Sequence, residues 1–546
     1  MTVEHAAPED ATVEHATVEH ATVDIAIVGA GFAGVGAAIA LERAGRHDFL
    51  VLERADAIGG TWRDNVYPGV ACDIPSHLYS YSFLPNPDWS RVFAPGAEIR
   101  GYLEHAVEIS SVRDRIRLGS ALEAAVWDEH AAVWRLTIAP TGRSALPRGG
   151  PAQDAGDAAP RQRRTETIEA RALVLAAGRL TEPRIPEVPG LMAFSGPVVH
   201  SARWDDALDL GGKRVAVVGS GASAVQLAPE LARRSRVVAF QRTPAWVLPR
   251  ADRAYEPEER ARFATDRSLI DAIRQEAYLA GEAMIPQRLG DLDALDWAQA
   301  RALAHLYAQV PDPALRAALM PAYEIGCKRA VFSDEWYPAL ASGAIELEAS
   351  ALVEVRPSRG DGGGVLVGAS GMEHEVDAIV LATGFHAGRQ PYARLVAGEH
   401  GETLDEHWAT GMTSVASTMV SGFPSLFVLD GPNASLGHNS SILMIEAQLD
   451  YLLEALGHRD ALGGAPLHPT AEAEAEYTAR IDAAAAGTVW LTGGCRSWYV
   501  DERSGRLTLL WPDSVPAFRE RGARFDPADF LVPERCDTPF APMRRV

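Results

Sequence analysis

Cysteine is scarce in this chain, basic charge is outnumbered, and long apolar runs are missing. The four cysteines, Cys72, Cys327, Cys495 and Cys536, form no CxxC pair, so neither a zinc site nor a thioredoxin-like redox motif is expected. Few, scattered thiols suit a reducing cytosol, with each one expected to be buried filler. Lys and Arg number 51 against 73 Asp and Glu, a formal net charge of −22. Such a surface repels polyanions, so neither nucleic acid nor an anionic membrane is expected as a partner. No uninterrupted apolar stretch approaches the ~20 residues that span a bilayer. The first residues carry Glu and His with no Lys or Arg, and no apolar segment follows, which is unlike a signal peptide. The expectation is a cytoplasmic protein with no protein partner implied.

What is present is an ordinary globular composition, 47% hydrophobic and 23% charged over 546 residues, long enough for two to four domains. Thr-Val-Glu-His-Ala occurs at 2–6, 12–16 and 17–21. Five residues cannot make a supersecondary unit, so 1–22 is read as a tail. From residue 23, Asp24-Ile25-Ala26-Ile27-Val28 is a short apolar run ending in glycine, the pattern of a buried parallel strand. A helical stretch and a second strand, Phe49-Leu50-Val51-Leu52, follow. The same unit recurs at Arg214-Val215-Ala216-Val217-Val218 and Val237-Val238-Ala239-Phe240. The fold class expected is therefore α/β, with two Rossmann-like dinucleotide-binding domains. Residues 139–170, rich in Pro, Gly, Ala and Arg, read as a flexible insertion. Residues from about 251 to 325 read as a helical insertion in the second domain. The expected organisation is 23–193 and 386–546 for one domain, with 194–385 for the linker and the other.

Gly29-Ala30-Gly31-Phe32-Ala33-Gly34 is a GxGxxG between a strand and a helix. Its glycines allow a tight turn and close approach of a pyrophosphate to the helix N-terminus. Glu53 ends the next strand, where a carboxylate grips ribose hydroxyls. Gly219-Ser220-Gly221-Ala222-Ser223-Ala224 is the second such turn, and Gln241-Arg242-Thr243 stands where Glu53 stands in the first. An arginine there attracts a 2′-phosphate that a carboxylate would repel. The first site thus suits FAD and the second NADPH; the bland reading of Arg242 is a solvated surface arginine.

Finer motifs carry a family resemblance. Residues 194–205 read FxGxxxHxxxWD, ending in Trp204-Asp205. Gly59-Gly60-Thr61-Trp62 precedes Tyr67-Pro68-Gly69-Val70-Ala71-Cys72-Asp73, and Cys327-Lys328-Arg329, Ala382-Thr383-Gly384-Phe385, Gly431-Pro432-Asn433 and Ser497-Trp498-Tyr499 follow in order. From about residue 23 to 512 the chain resembles the type I Baeyer–Villiger monooxygenases. It departs at Ala176-Ala177-Gly178, where many relatives have an alcohol or another small residue in the middle position.

The resemblance implies that NADPH reduces FAD and that O2 then forms a C4a-peroxyflavin, which attacks a ketone to give an ester or lactone. It makes Arg329 the fixed cation of the site, a guanidinium that keeps its proton, and Asp73 its partner. Lys328 joins Arg242 and Thr243 at the NADP phosphate, and Trp498 rides a loop over the nicotinamide. Thr61, Trp62, Asp73, Tyr79 and Ser441 are expected to line the cofactor. His200 is read as coupling the domains rather than as an acid–base group, while Phe194 and Trp204 are read as packing residues. His438 is free to face a substrate on this reading. The alternative on the same fold is a flavin-dependent N- or S-oxygenase. A pyridine-nucleotide disulfide reductase is set aside because no closely spaced cysteine pair is present.

Overall fold

A computed structural model of the chain describes residues 20–141, 165–358 and 362–531. Most of the expected 1–22 tail, Cys536 and the middle of the expected 139–170 insertion lie outside the described residues.

The first sheet has eight strands. The strand His20–Val28 runs parallel between Phe49–Leu52 and Glu166–Leu175. Being paired on both edges and covered on both faces, it needs a continuous apolar run, and Ile25, Ala26 and Ile27 are buried. It starts at His20, so residues 20–22 belong to the sheet rather than to the expected 1–22 tail: their backbone pairs with Thr167, Ile168 and Glu169. The insertion is also shorter than expected, because the antiparallel strands Val133–Pro140 and Glu166–Leu175 reach into 139–170. The late strands Val396–Ala397 and Leu426–Val428 join this same sheet. The helix Phe32–Arg43 lies between the sheet and the long helix Ser441–Ala461. Gly36 permits that contact, since a Cβ there would stand 3.1 Å from Leu449 and 3.2 Å from Tyr81.

The second sheet is all parallel, in the order Ile345–Glu348, Arg236–Phe240, Arg214–Val218, Ala378–Leu381, Val198–His200. The linker fingerprint is thus an edge strand of this sheet. His200 is buried against Phe385, its Nδ1 accepts the Ala202 N–H at 3.1 Å, and burial pushes its pKa down to about 4. Phe194 and Trp204 pack in the second domain's cores. The helical insertion comprises Pro257–Thr265, Arg267–Glu282, Ile285–Arg288, Leu292–Gln309 and Pro313–Ala318. It does not stay within the second domain. Ile270 and Phe263 enter the core of the first, and Arg274 donates to the carbonyls of His77 and Ser80, each at 2.9 Å.

Candidate active site

Each glycine turn is built by a backbone collision that only glycine avoids. Gly29 has φ +108°, and a Cβ there would run into the carbonyl oxygen of Ala176. Gly219 has φ +130° and meets the Ala382 carbonyl in the same way. Each turn therefore presents bare backbone at a helix N-terminus. Glu53 accepts the Ala30 and Ala55 N–H groups at 2.9 Å and Arg63 Nη1 at 2.8 Å. These bonds fix its carboxylate at the edge of the first turn. In the second turn, Ser220 Oγ donates to the Thr243 carbonyl at 2.8 Å, which ties the turn to the Arg242 segment.

One cavity of about 1940 Å³ connects both turns. It is lined by every expected site residue except Gly34 and Ala224: Gly29, Gly31, Glu53, Thr61, Trp62, Asp73, Tyr79, Ser441, Gly219, Gly221, Ser223, Arg242, Thr243, Lys328, Arg329 and Trp498. The two exceptions sit behind the wall, where a Cβ on Gly34 would collide with the Gly29 carbonyl and Ala224 is wholly buried.

On the cavity wall Arg329 meets Asp73, 256 residues away in sequence. Its Nε donates to Oδ2 at 3.0 Å and its Nη2 to Oδ1 at 2.6 Å, a two-point grip. The charge of Asp73 raises the pKa of Arg329 further above its ordinary value. Trp62 Nε1 donates to the Tyr79 hydroxyl at 3.2 Å, and burial raises the Tyr79 pKa. Near the second turn, Arg242 is exposed and Lys328 half-buried. Among the described residues neither has an acidic partner, although Lys328 Nζ lies 5.0 Å from the Tyr323 ring centroid. Burial lowers the Lys328 pKa, and the charge of Arg242 lowers it again. The Trp498 ring lies tilted by 48° against Tyr499, with centroids 4.5 Å apart, at 39% exposure.

Several residues at the site were missed by sequence reading. Arg179 pairs with Asp430 on the cavity wall, and its Nη2 donates to Ser441 Oγ at 3.1 Å. Asp430 has φ +54°, and burial raises its pKa. Their positions beside Gly178 and Gly431 are the signal that could have found them. Arg288 is buried and, among the described residues, its side chain makes one hydrogen bond, to the Gly437 carbonyl at 3.1 Å; its pKa is pushed down to about 10 by burial. His438 is not among the residues lining the cavity; its Nε2 lies 3.2 Å from Glu282 Oε1.

The cysteine expectation needs correction. Cys327 and Cys495 form a disulfide across 168 residues, because the fold lays the Arg329 segment against the Trp498 loop. Spacing rules see only neighbours in the chain. Cys72 is a buried free thiol, as expected of filler.

Comparison with known proteins decides the family. The pyridine nucleotide-disulphide oxidoreductase model matches residues 23–267, and the flavin-binding monooxygenase-like model matches 159–392. A Baeyer–Villiger monooxygenase of Streptomyces coelicolor is 43% identical over 91% of this chain and 90% of its own. One of Pseudomonas aeruginosa is 38% identical over 90% and 88%. The chain belongs to the Baeyer–Villiger monooxygenases. Among solved structures, closed cyclohexanone monooxygenase matches with a TM-score of 0.76 and 25% identity, over 92% of this chain and 97% of that one. An oxidised steroid monooxygenase bound to NADP matches at 0.72 and 29%, over 91% and 96%. This Baeyer–Villiger monooxygenase therefore has the doubly nucleotide-binding α/β fold that its two glycine turns led us to expect. Its cavity fits two dinucleotides: one cradle of bare backbone at each end, and two cations without acidic partners at the second. Among the described residues, no helix is long and apolar enough to cross a membrane.

Proposed function

We propose that this monooxygenase inserts one oxygen atom of O2 beside the carbonyl of a small ketone, giving an ester or lactone. FAD and NADPH are its cofactors; when bound, they supply the oxygen-activating and hydride chemistry. On this reading FAD lies along Gly29, Gly31, Gly34 and Glu53, against Thr61, Trp62, Tyr79 and Ser441. NADPH lies along Gly219, Gly221, Ser223 and Ala224, with its 2′-phosphate held by Arg242, Thr243 and Lys328. Of the described residues, those from His20 to 193 and from 386 to 531 then form the FAD-binding part, and those from 194 to 385 the NADP-binding part. A cytoplasmic location belongs to the same proposal.

Arg329 is the catalytic residue and Asp73 its partner. The guanidinium stays charged, so it offers N–H hydrogen bonds to a developing oxyanion without giving up the proton. Asp73 aims it and offsets the cost of burying it. Trp498 covers the nicotinamide end and excludes water.

The observation that carries this reading is the two-point Arg329–Asp73 pair on the wall of the one cavity that joins both turns. The test is a ketone panel with NADPH and air, with products identified by mass spectrometry. Ester formation is expected from wild type. Arg329→Ala is expected to lose it, by about 10²- to 10³-fold, while NADPH still bleaches the flavin. Undiminished ester formation by that variant, or oxidation of sulfides and amines with no ketone turnover, overturns the proposal.

A further inference from the structure

We propose that the Cys327–Cys495 disulfide positions the Trp498 loop for NADP binding, and that small thiol reductants release it. This rests on the reading of Trp498 as the cover of the nicotinamide end.

The bond joins the two segments whose relative placement matters most. Cys327 immediately precedes Lys328 and Arg329, while Cys495 lies three residues before Trp498. The neighbouring backbone bond, Glu324 N–H to the Gly493 carbonyl at 2.9 Å, stops at the foot of the loop. From 494 to 498, the hydrogen bonds among the described residues are local: Val500 N–H to Ser497 O at 3.2 Å and Tyr499 N–H to Ser497 Oγ at 3.3 Å. The loop's firm attachments are thus the disulfide at one end and the buried Tyr499 at the other. Without the covalent link, residues 494–498 would have to be ordered anew each time the nucleotide binds. That ordering entropy opposes binding.

The bond is placed for exchange. Cys327 has no exposed surface, while Cys495 is half-buried on the cavity wall. An entering thiolate therefore attacks Cys495 Sγ. The S–S bond breaks, Cys327 leaves with the electron pair and takes up a proton, and a mixed disulfide forms at Cys495. A second thiolate attacks the reductant sulfur of that mixed disulfide and frees Cys495. In total, two small thiols become one disulfide and the protein gains two thiols. The pair lies outside the matched segment 23–267, so its role is separate from that of a cysteine pair in a flavin-linked disulfide reductase.

The test begins with the holoenzyme, alkylated during lysis and digested without reductant. A cross-linked peptide containing Cys327 and Cys495 is expected; finding both alkylated overturns the proposal. NADP⁺ binding to the oxidised flavoprotein is then titrated before and after dithiothreitol treatment and removal. Reduction is expected to weaken binding about tenfold, the scale of ordering one or two extra side chains. Cys327→Ser and Cys495→Ser are each expected to show the weakened affinity from the start and to ignore the reductant. Should neither variant fold, reduction and reoxidation of wild type carries the test alone, with affinity expected to fall and then recover. An unchanged affinity on reduction overturns the positioning role. None of these readouts needs ketone turnover. A protein that oxidises no ketone but still loses NADP⁺ affinity on reduction removes the proposed reaction and leaves this inference standing.

Discussion

Tyr67 and Gln226 join the two sides of the active site: the Tyr67 hydroxyl donates to Gln226 Oε1 at 2.9 Å. Gln226 Nε2 in turn donates to the Ala71 carbonyl at 3.1 Å. Gln226 sits on the second nucleotide helix, Ala222–Ala232, and Tyr67 and Ala71 lie in the segment that ends at Asp73. Burial pushes the Tyr67 pKa up to about 12, so it stays a neutral donor. The helix Ala222–Ala232 is thereby tied to the segment that carries the carboxylate gripping Arg329.

Gln226→Leu removes both bonds while keeping most of the volume. Each is worth about 1 kcal/mol, so a loss near 2 kcal/mol in urea denaturation is expected. FAD content should hold while ketone turnover falls. A variant with normal turnover would show that this contact does not place Asp73.

Arg242→Ala is expected to raise the apparent KM for NADPH on the order of ten- to hundredfold, the worth of charge-assisted bonds to a phosphate. The KM for NADH should barely move. Lys328→Ala should act in the same direction, and the double variant should fall short of the product of the two, because both cations would serve one phosphate. Steady-state kinetics with both nucleotides checks this; equal effects on NADPH and NADH would remove the phosphate from this end of the cavity.

His77 should carry part of the acid lability. It is fully buried between Phe263 and Tyr255, neither ring nitrogen has a hydrogen-bond partner, and burial lowers its pKa from 6.5 to about 4. The nearby charge of Arg274 pushes the same way. The folded state thus binds fewer protons than the unfolded one in that window. Stability is full above the unfolded value of 6.5 and is lost as pH falls towards 4, by up to about 3 kcal/mol. His77→Phe should flatten that part of the stability profile relative to wild type. An unchanged slope between pH 6.5 and 4 would mean that the imidazole is already charged in the fold.

Arg288 holds a buried charge with one hydrogen bond, to the Gly437 carbonyl. Its Nε and Nη1 have none, and among the described residues it has no acidic partner. A buried charge without an acidic partner carries a desolvation cost that an apolar chain of similar length avoids. Arg288→Met is therefore expected to leave the melting temperature unchanged or a few degrees higher. A drop of several kcal/mol in denaturant unfolding would instead reveal an anion bound beside Arg288.

Local features of this protein were legible in its sequence. A glycine turn is defined by a few consecutive residues, and its work is done by backbone, so Gly29 and Gly219 announce their sites without help from the rest of the chain. The apolar strand runs and the choice between Glu53 and Arg242 are equally local; the strand runs and glycine turns determined the fold class. Arg329 and Asp73 were singled out only through family motifs, because no spacing rule links residues 256 apart. Tertiary structure alone decided the remaining partnerships: Arg179 with Asp430, Cys327 with Cys495, Gln226 with Tyr67, and the entry of Ile270 into the first domain's core. Each joins side chains from segments that meet only after the strands have been ordered into sheets. Such meetings depend on crossover connections and domain docking, which leave no periodic trace in the chain.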